Sequence, residues 1–154
     1  MTRAVFDAHG QSILDLAGEF LVHCPRCSHC ASVTVQSGQR FGPVRLLCVA
    51  CGHLKDKDAR QLVIREAVDW YFGLPLWLQT PCHGRVLWAY NLRHLTFLEA
   101  YVRAGLRQDA RGEGSLRNGT LASRLPAWIK SAKNRDDVLC GLSRLHELLG
   151  TREL

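Results

Sequence analysis

Two Cys-x-x-Cys motifs constrain this chain more than any other feature. They are Cys24-Pro25-Arg26-Cys27 and Cys48-Val49-Ala50-Cys51, with 20 residues between them. Two residues between thiols let one tight turn offer both sulfurs to a single ion, and zinc is commonly held by four such soft ligands in a tetrahedron. Gly52 after the second pair suits a turn whose backbone N–H groups point at the sulfurs. Between the pairs, Ala31–Gln36 alternates and is rich in β-branched residues, Ser37-Gly38-Gln39 reads as a turn, and Val44–Val49 reads as a returning strand. The expectation is one structural Zn2+ on Cys24, Cys27, Cys48 and Cys51. Such a closed site leaves no coordination position for a substrate, and binding contributes on the order of 10 kcal/mol to folding. Cys27-Ser28-His29-Cys30 is also Cys-x-x-Cys. Pro25 suits the turn and favours Cys24 with Cys27, leaving Cys30 to enter the strand. A thioredoxin-type redox motif would call for one such pair at a helix start, not two facing pairs.

Seven cysteines are an odd number, so complete internal disulfide pairing is excluded. The first residues lack an apolar export segment, so a reducing cytoplasm is the expected compartment, where clustered thiols serve metals more often than disulfides. With 47% apolar and 22% charged residues, the composition is that of a globular chain. The longest uncharged run, Trp70–Gly84, is too short and too interrupted by Gly and Pro to span a bilayer, so no membrane partner is expected.

The periodicities predict an α+β fold with two regions, 1–60 and 61–154, packed as one unit. A short helix opened by Ser12 is expected over 11–20, followed by an extended Leu21-Val22-His23 and the cysteine segment. The charged stretch 53–60 reads as a connection. Leu62-Val63-Ile64 reads as a strand, and Leu76–Thr80 with Arg85–Tyr90 reads as a hairpin around the loop Pro81-Cys82-His83-Gly84. Asn91 caps an expected helix through Leu106. Gln108–Thr120 reads as a loop, Leu121–Lys133 is partly helical with Pro126 starting or kinking it, and Asn134 caps a last helix ended by Gly150.

The opening Cys-Pro-x-Cys, the strand–turn–strand middle and the closing Cys-x-x-Cys-Gly resemble the zinc ribbon, a zinc-finger class. More widely, residues 14–149 resemble short bacterial proteins of unknown activity that contain a TFIIB-type zinc ribbon. Carrying that resemblance are Trp70-Tyr71-Phe72-Gly73-Leu74-Pro75-Leu76-Trp77-Leu78-Gln79, Leu87-Trp88-Ala89-Tyr90-Asn91, and the stretch from Ser123-Arg124-Leu125-Pro126 to Lys130-Ser131-Ala132-Lys133-Asn134-Arg135. It implies a metal site and a bacterial intracellular setting and no particular activity. Ser28 stands where ribbons usually place Gly, which keeps the choice between Cys24 and Cys30 open.

The net charge of +6 is unevenly spread: residues 1–90 carry +2, and 103–135 alone carries +6. Basic residues beside a Gly-rich loop and helix starts suit phosphate, so Arg103, Arg107, Arg124, Lys130, Lys133 and Arg135 are candidate nucleic-acid contacts. A solvated basic loop explains the same charges equally well, and the densest spot, Lys130-Ser131-Ala132-Lys133-Asn134-Arg135, has no interleaved aromatic to select bases. The expected function is a non-catalytic zinc-ribbon protein that binds nucleic acid, the competing reading a protein-interaction adaptor. No small-molecule substrate is expected. Cys82-His83 is the one candidate dyad for catalysis or a second metal, and adjacent residues on a turn point apart. Trp70, Trp77 and Trp88, interleaved with leucines, read as core more than as a stacking platform, with Trp128 lying apart.

Overall fold

A computed structural model describes residues 17–36, 42–104 and 125–151. Four strands, β1 (Glu19–His23), β2 (Cys30–Val35), β3 (Gly42–Leu47) and β4 (Leu54–Ala59), form an antiparallel sheet in chain order. A second, two-stranded sheet follows, β5 (Leu78–Cys82) with β6 (Arg85–Ala89). Then come helix α1 (Leu92–Ala104), a single turn α2 (Ala127–Lys130), a 3₁₀ turn Ala132–Asn134, and helix α3 (Arg135–Thr151). Helices and antiparallel sheets are thus mixed, as α+β requires.

Strands β2 and β3 alternate as the sequence implies. Ala31, Val33, Val44 and Leu46 face the core, and Val33 pairs directly with Leu46. Strand β1 is buried on both faces: Phe20 and Val22 join the core under the four-stranded sheet, and Leu21 joins the core of hairpin and helices. Its free edge is stitched to the second half of the chain. The Leu21 N–H donates to the Tyr90 carbonyl at 2.8 Å, the Trp77 N–H to the Leu21 carbonyl at 2.8 Å, and the His23 N–H to the Pro75 carbonyl at 2.9 Å. Phe20 lies among aromatics, 5.4 Å from the Trp70 ring and 4.9 Å from Tyr90, and the Trp70 indole donates to the Tyr90 hydroxyl at 3.0 Å. The tryptophans are mainly packing groups: Trp70 is buried, Trp77 and Trp88 are half-buried, and Trp77 Nε1 donates to the Leu148 carbonyl.

The approach to β5 is shaped by a buried carboxylate. Asp69 is fully buried, and its two oxygens accept the N–H groups of Tyr71 (2.8 Å), Phe72 (2.7 Å) and Leu74 (2.7 Å). The charge is thereby satisfied by three backbone donors, which fold 69–74 into a tight loop.

Several expectations are corrected. Residues 11–16 lie outside the described residues, but Glu19 and Phe20, the end of the expected helix, belong to β1, held by pairing with Thr34 and Val33. The charged stretch 53–60 is a strand. Only Ala59 of β4 is buried, so no apolar alternation marks it. Leu62-Val63-Ile64 forms no strand, with Val63 and Ile64 exposed. Pro81 and Cys82 extend β5, and the hairpin closes in two residues, His83 (φ 55) and Gly84 (φ 74), both left-handed as a type I′ turn demands. Asn91 does cap α1, accepting the His94 N–H at 2.9 Å. Asn134 instead sits in the 3₁₀ turn and donates its side-chain amide to the Trp128 carbonyl, and α3 runs one residue past Gly150. The expected turn at 37–39 and the loop 108–120 lie outside the described residues.

Candidate metal centre

Each Cys-x-x-Cys motif occupies a six-residue hairpin loop, 24–29 between β1 and β2 and 48–53 between β3 and β4. Because the four strands run antiparallel in chain order, both loops fall at the same end of the sheet. The two loops share one backbone design. The Cys24 N–H donates to the His29 carbonyl and the Ser28 N–H to the Cys24 carbonyl, at 2.8 and 2.9 Å. In the second loop the Cys48 N–H donates to the His53 carbonyl and the Gly52 N–H to the Cys48 carbonyl, both at 2.8 Å. The position after the second cysteine is left-handed in both, φ 66 at Ser28 and φ 77 at Gly52. Ser28 thus adopts the glycine conformation despite its side chain, so the first loop closes on Cys24 and Cys27. Cys30 starts β2, points its thiol at the Ala31 carbonyl, and stands outside the cluster.

The four sulfurs Cys24, Cys27, Cys48 and Cys51 all lie within 4.8 Å of one another. Cys24 and Cys51 are 3.7 Å apart, and Cys27 and Cys48 are 3.5 Å apart. A tetrahedron with metal–sulfur bonds of about 2.3 Å has edges of about 3.8 Å, so the spacing fits one four-coordinate ion. The Arg26 N–H lies 3.4 Å from the Cys24 sulfur, a backbone donor aimed at the negative charge a bound thiolate carries. Burial pushes the Cys24 thiol up, but the N–H groups of Cys27 and Arg26 and the neighbouring thiols outweigh it and bring it down to about 6. At Cys27 the His29 N–H favours the thiolate, yet burial and the sulfurs of Cys48, Cys51 and Cys24 push it up to about 12. Four thiols this close cannot all ionise on their own. A divalent cation among them removes that conflict. Among the described residues, no other group of three or more His, Cys, Asp or Glu side chains is assembled for a metal.

The candidate phosphate contacts are placed less tightly. Arg135, at the start of α3, donates to the Arg103 carbonyl at 2.7 Å, so the two stand together. Arg103 also pairs with Glu99 at 3.2 Å. Lys133 is exposed and Lys130 half-buried, while Arg107 and Arg124 lie outside the described residues.

Cys82 and His83 do not form a dyad. The Cys82 thiol is buried, donates to the Asp137 carbonyl at 3.4 Å, and has its pKa raised chiefly by burial. His83 turns its Nδ1 to the Asp137 carboxylate at 3.1 Å. Sequence reasoning missed two residues here. Gly141 lies against Leu87 and Cys82, and His94 is buried among aromatics; Gly141 was hidden inside a leucine-rich helix, and His94 inside an amphipathic one.

No family model, curated protein or solved structure matches the chain. Among the described residues, no helix is long and apolar enough to cross a membrane.

Proposed function

We propose that the protein is a non-catalytic zinc-ribbon module of the TFIIB-type class, in which Cys24, Cys27, Cys48 and Cys51 hold one structural Zn2+ and the basic C-terminal region binds nucleic acid. The four-sulfur cluster carries this reading. When bound, the ion supplies cross-linking of the two hairpin loops and no reactive position. The chain's own residues do the rest: the paired loops present the sulfurs, and the four-stranded sheet holds both loops at one end. The closed donor set and the buried, protonated Cys82 thiol both support a non-catalytic role. Arg103 and Arg135 stand together near the start of α3 and, with Lys133, Lys130, Arg107 and Arg124, are the proposed phosphate contacts.

A protein-interaction adaptor is the second reading, favoured by Val49 at the tip of the second cysteine loop (84% exposed) beside the exposed pair Leu47 and Leu54. Electrophoretic shifts with single- and double-stranded DNA and RNA at several salt concentrations separate the two. Nucleic-acid binding gives shifts that weaken steeply with salt, with a slope set by the phosphates contacted. An absence of shifts at low salt overturns the nucleic-acid reading in favour of the adaptor.

A further inference from the structure

A cavity of about 340 Å³ opens between hairpin β5–β6, helix α1 and the segment 125–129. Trp88 of β6 and Trp128 of α2 both line it, with Ile129 and His94 deeper in and Glu66 and Arg85 contributing charge. Its size is at the lower end of small-molecule sites and matches a one- or two-ring compound rather than a larger ligand. Trp128, far from the other tryptophans in sequence, thus shares the lining of one cavity with Trp88. The basic segment 130–135, which holds no aromatic of its own, follows directly on Trp128 and Ile129 of the lining.

His94 gives the cavity a directional polar group. It is 3% exposed, and its Nδ1 accepts the Tyr90 N–H at 3.0 Å. That bond places the ring proton on Nε2, the nitrogen left to donate. Burial lowers the His94 pKa to about 3, so the ring stays neutral and keeps both one donor and one acceptor. Two indoles, a neutral N–H donor, and a carboxylate and guanidinium on the lining together suit a planar heteroaromatic ring with hydrogen-bonding edges. Aliphatic chains would leave His94 Nε2 without a partner, and a bare phosphate would meet an apolar interior.

We propose that this cavity is a nucleobase-binding site, in which the indoles of Trp88 and Trp128 pack against the ring, His94 Nε2–H donates to its edge, and Arg85 receives an attached phosphate. The proposal rests on the nucleic-acid reading for its choice of ring. The base can belong to a free nucleotide or to an unstacked position of a single strand, where aromatic stacking is tolerant of sequence.

The test uses the full zinc-loaded chain and follows tryptophan fluorescence as the four nucleoside monophosphates, and separately 12-mer single-stranded oligonucleotides, are added. Saturable quenching is expected. It is expected to weaken about tenfold or more in Trp128→Ala, the range for loss of one base–aromatic stack. Val86→Trp provides the control for folding, because Val86 is 45% exposed on β6 and lines the same cavity. It fills the space while zinc content and circular dichroism stay unchanged, and quenching should be lost. Absence of saturable quenching by every nucleotide and oligonucleotide overturns the proposal, as does full retention of quenching in Val86→Trp. Oligonucleotide gel shifts that persist undiminished in Val86→Trp show phosphate contacts alone, which overturns this proposal and leaves the nucleic-acid reading standing. Quenching by free nucleotides that Val86→Trp abolishes, with no oligonucleotide binding, supports the site and overturns the nucleic-acid reading.

Discussion

At the scale of single residues, local chemistry settles questions that spacing leaves open. The ambiguity between Cys24 and Cys30 is resolved by the backbone at Ser28. Its left-handed φ of 66 mirrors Gly52 and closes the first loop on Cys24. That conformation costs a non-glycine residue about 1–2 kcal/mol, a cost the loop's hydrogen bonds help to offset. His94 is another such residue. Burial lowers its pKa to about 3, below the ordinary value near 6.5, so between those values the unfolded chain takes up a proton that the folded chain refuses. Its contribution to stability is therefore whole above pH 6.5 and is lost as pH falls toward 3, at about 1.4 kcal/mol per pH unit. Denaturant titrations at pH 6.5 and 5.5 should show a steeper loss for the native sequence than for His94→Gln, whose side-chain carbonyl can still accept the Tyr90 N–H. Equal losses would show that His94 is not held neutral.

At the scale of elements, legibility followed the strength of the apolar pattern. Strands β2 and β3, with one buried face, and helix α1, with its Asn91 cap, were readable. Strand β4 was not, because Lys55, Asp56, Lys57 and Asp58 are all exposed, a charged edge that resists pairing with other chains. Strand β1 was misread in part as helix because pairing with β2 overrides the local propensity of Glu19 and Phe20. The four-cysteine cluster was readable because Cys-x-x-Cys spacing is itself the loop geometry. The cavity was not, because Trp88 and Trp128 come to line one space only through the fold. Gly141 shows the same limit. It lies within α3 where a Cβ would stand 2.7 Å from Leu87 Cδ2 and 3.4 Å from the Cys82 sulfur. The glycine lets α3 lie directly on hairpin β5–β6. Gly141→Ala should destabilise the protein by about 1–3 kcal/mol despite its better helix propensity, read as a lower midpoint in urea. A stabilised variant would mean that the hairpin moves aside without cost.

At the scale of the whole molecule, the metal end and the helical end are joined through β1. Its residues enter both cores, and its outer edge bonds to Tyr90, Pro75 and Trp77. Loss of the ion should therefore be felt beyond the cysteine loops. On chelation, hydrogen exchange is expected to accelerate at Leu21 and His23 and also at Trp77 on the far side of that edge, while the centre of α1 responds least. Acceleration confined to 24–29 and 48–53 would show that the two ends are energetically separate. The charge of the molecule changes with the same assignment. Four thiolates around one Zn2+ would carry −2 together, which would bring residues 1–90 close to neutral and leave the positive excess in 103–135. Whether those four sulfurs hold one zinc ion is read by X-ray absorption at the zinc edge on the full chain. One zinc per chain is expected, with four sulfurs at about 2.3 Å and no lighter atom in the shell. A folded chain without zinc, or a zinc with nitrogen or oxygen ligands, would contradict it.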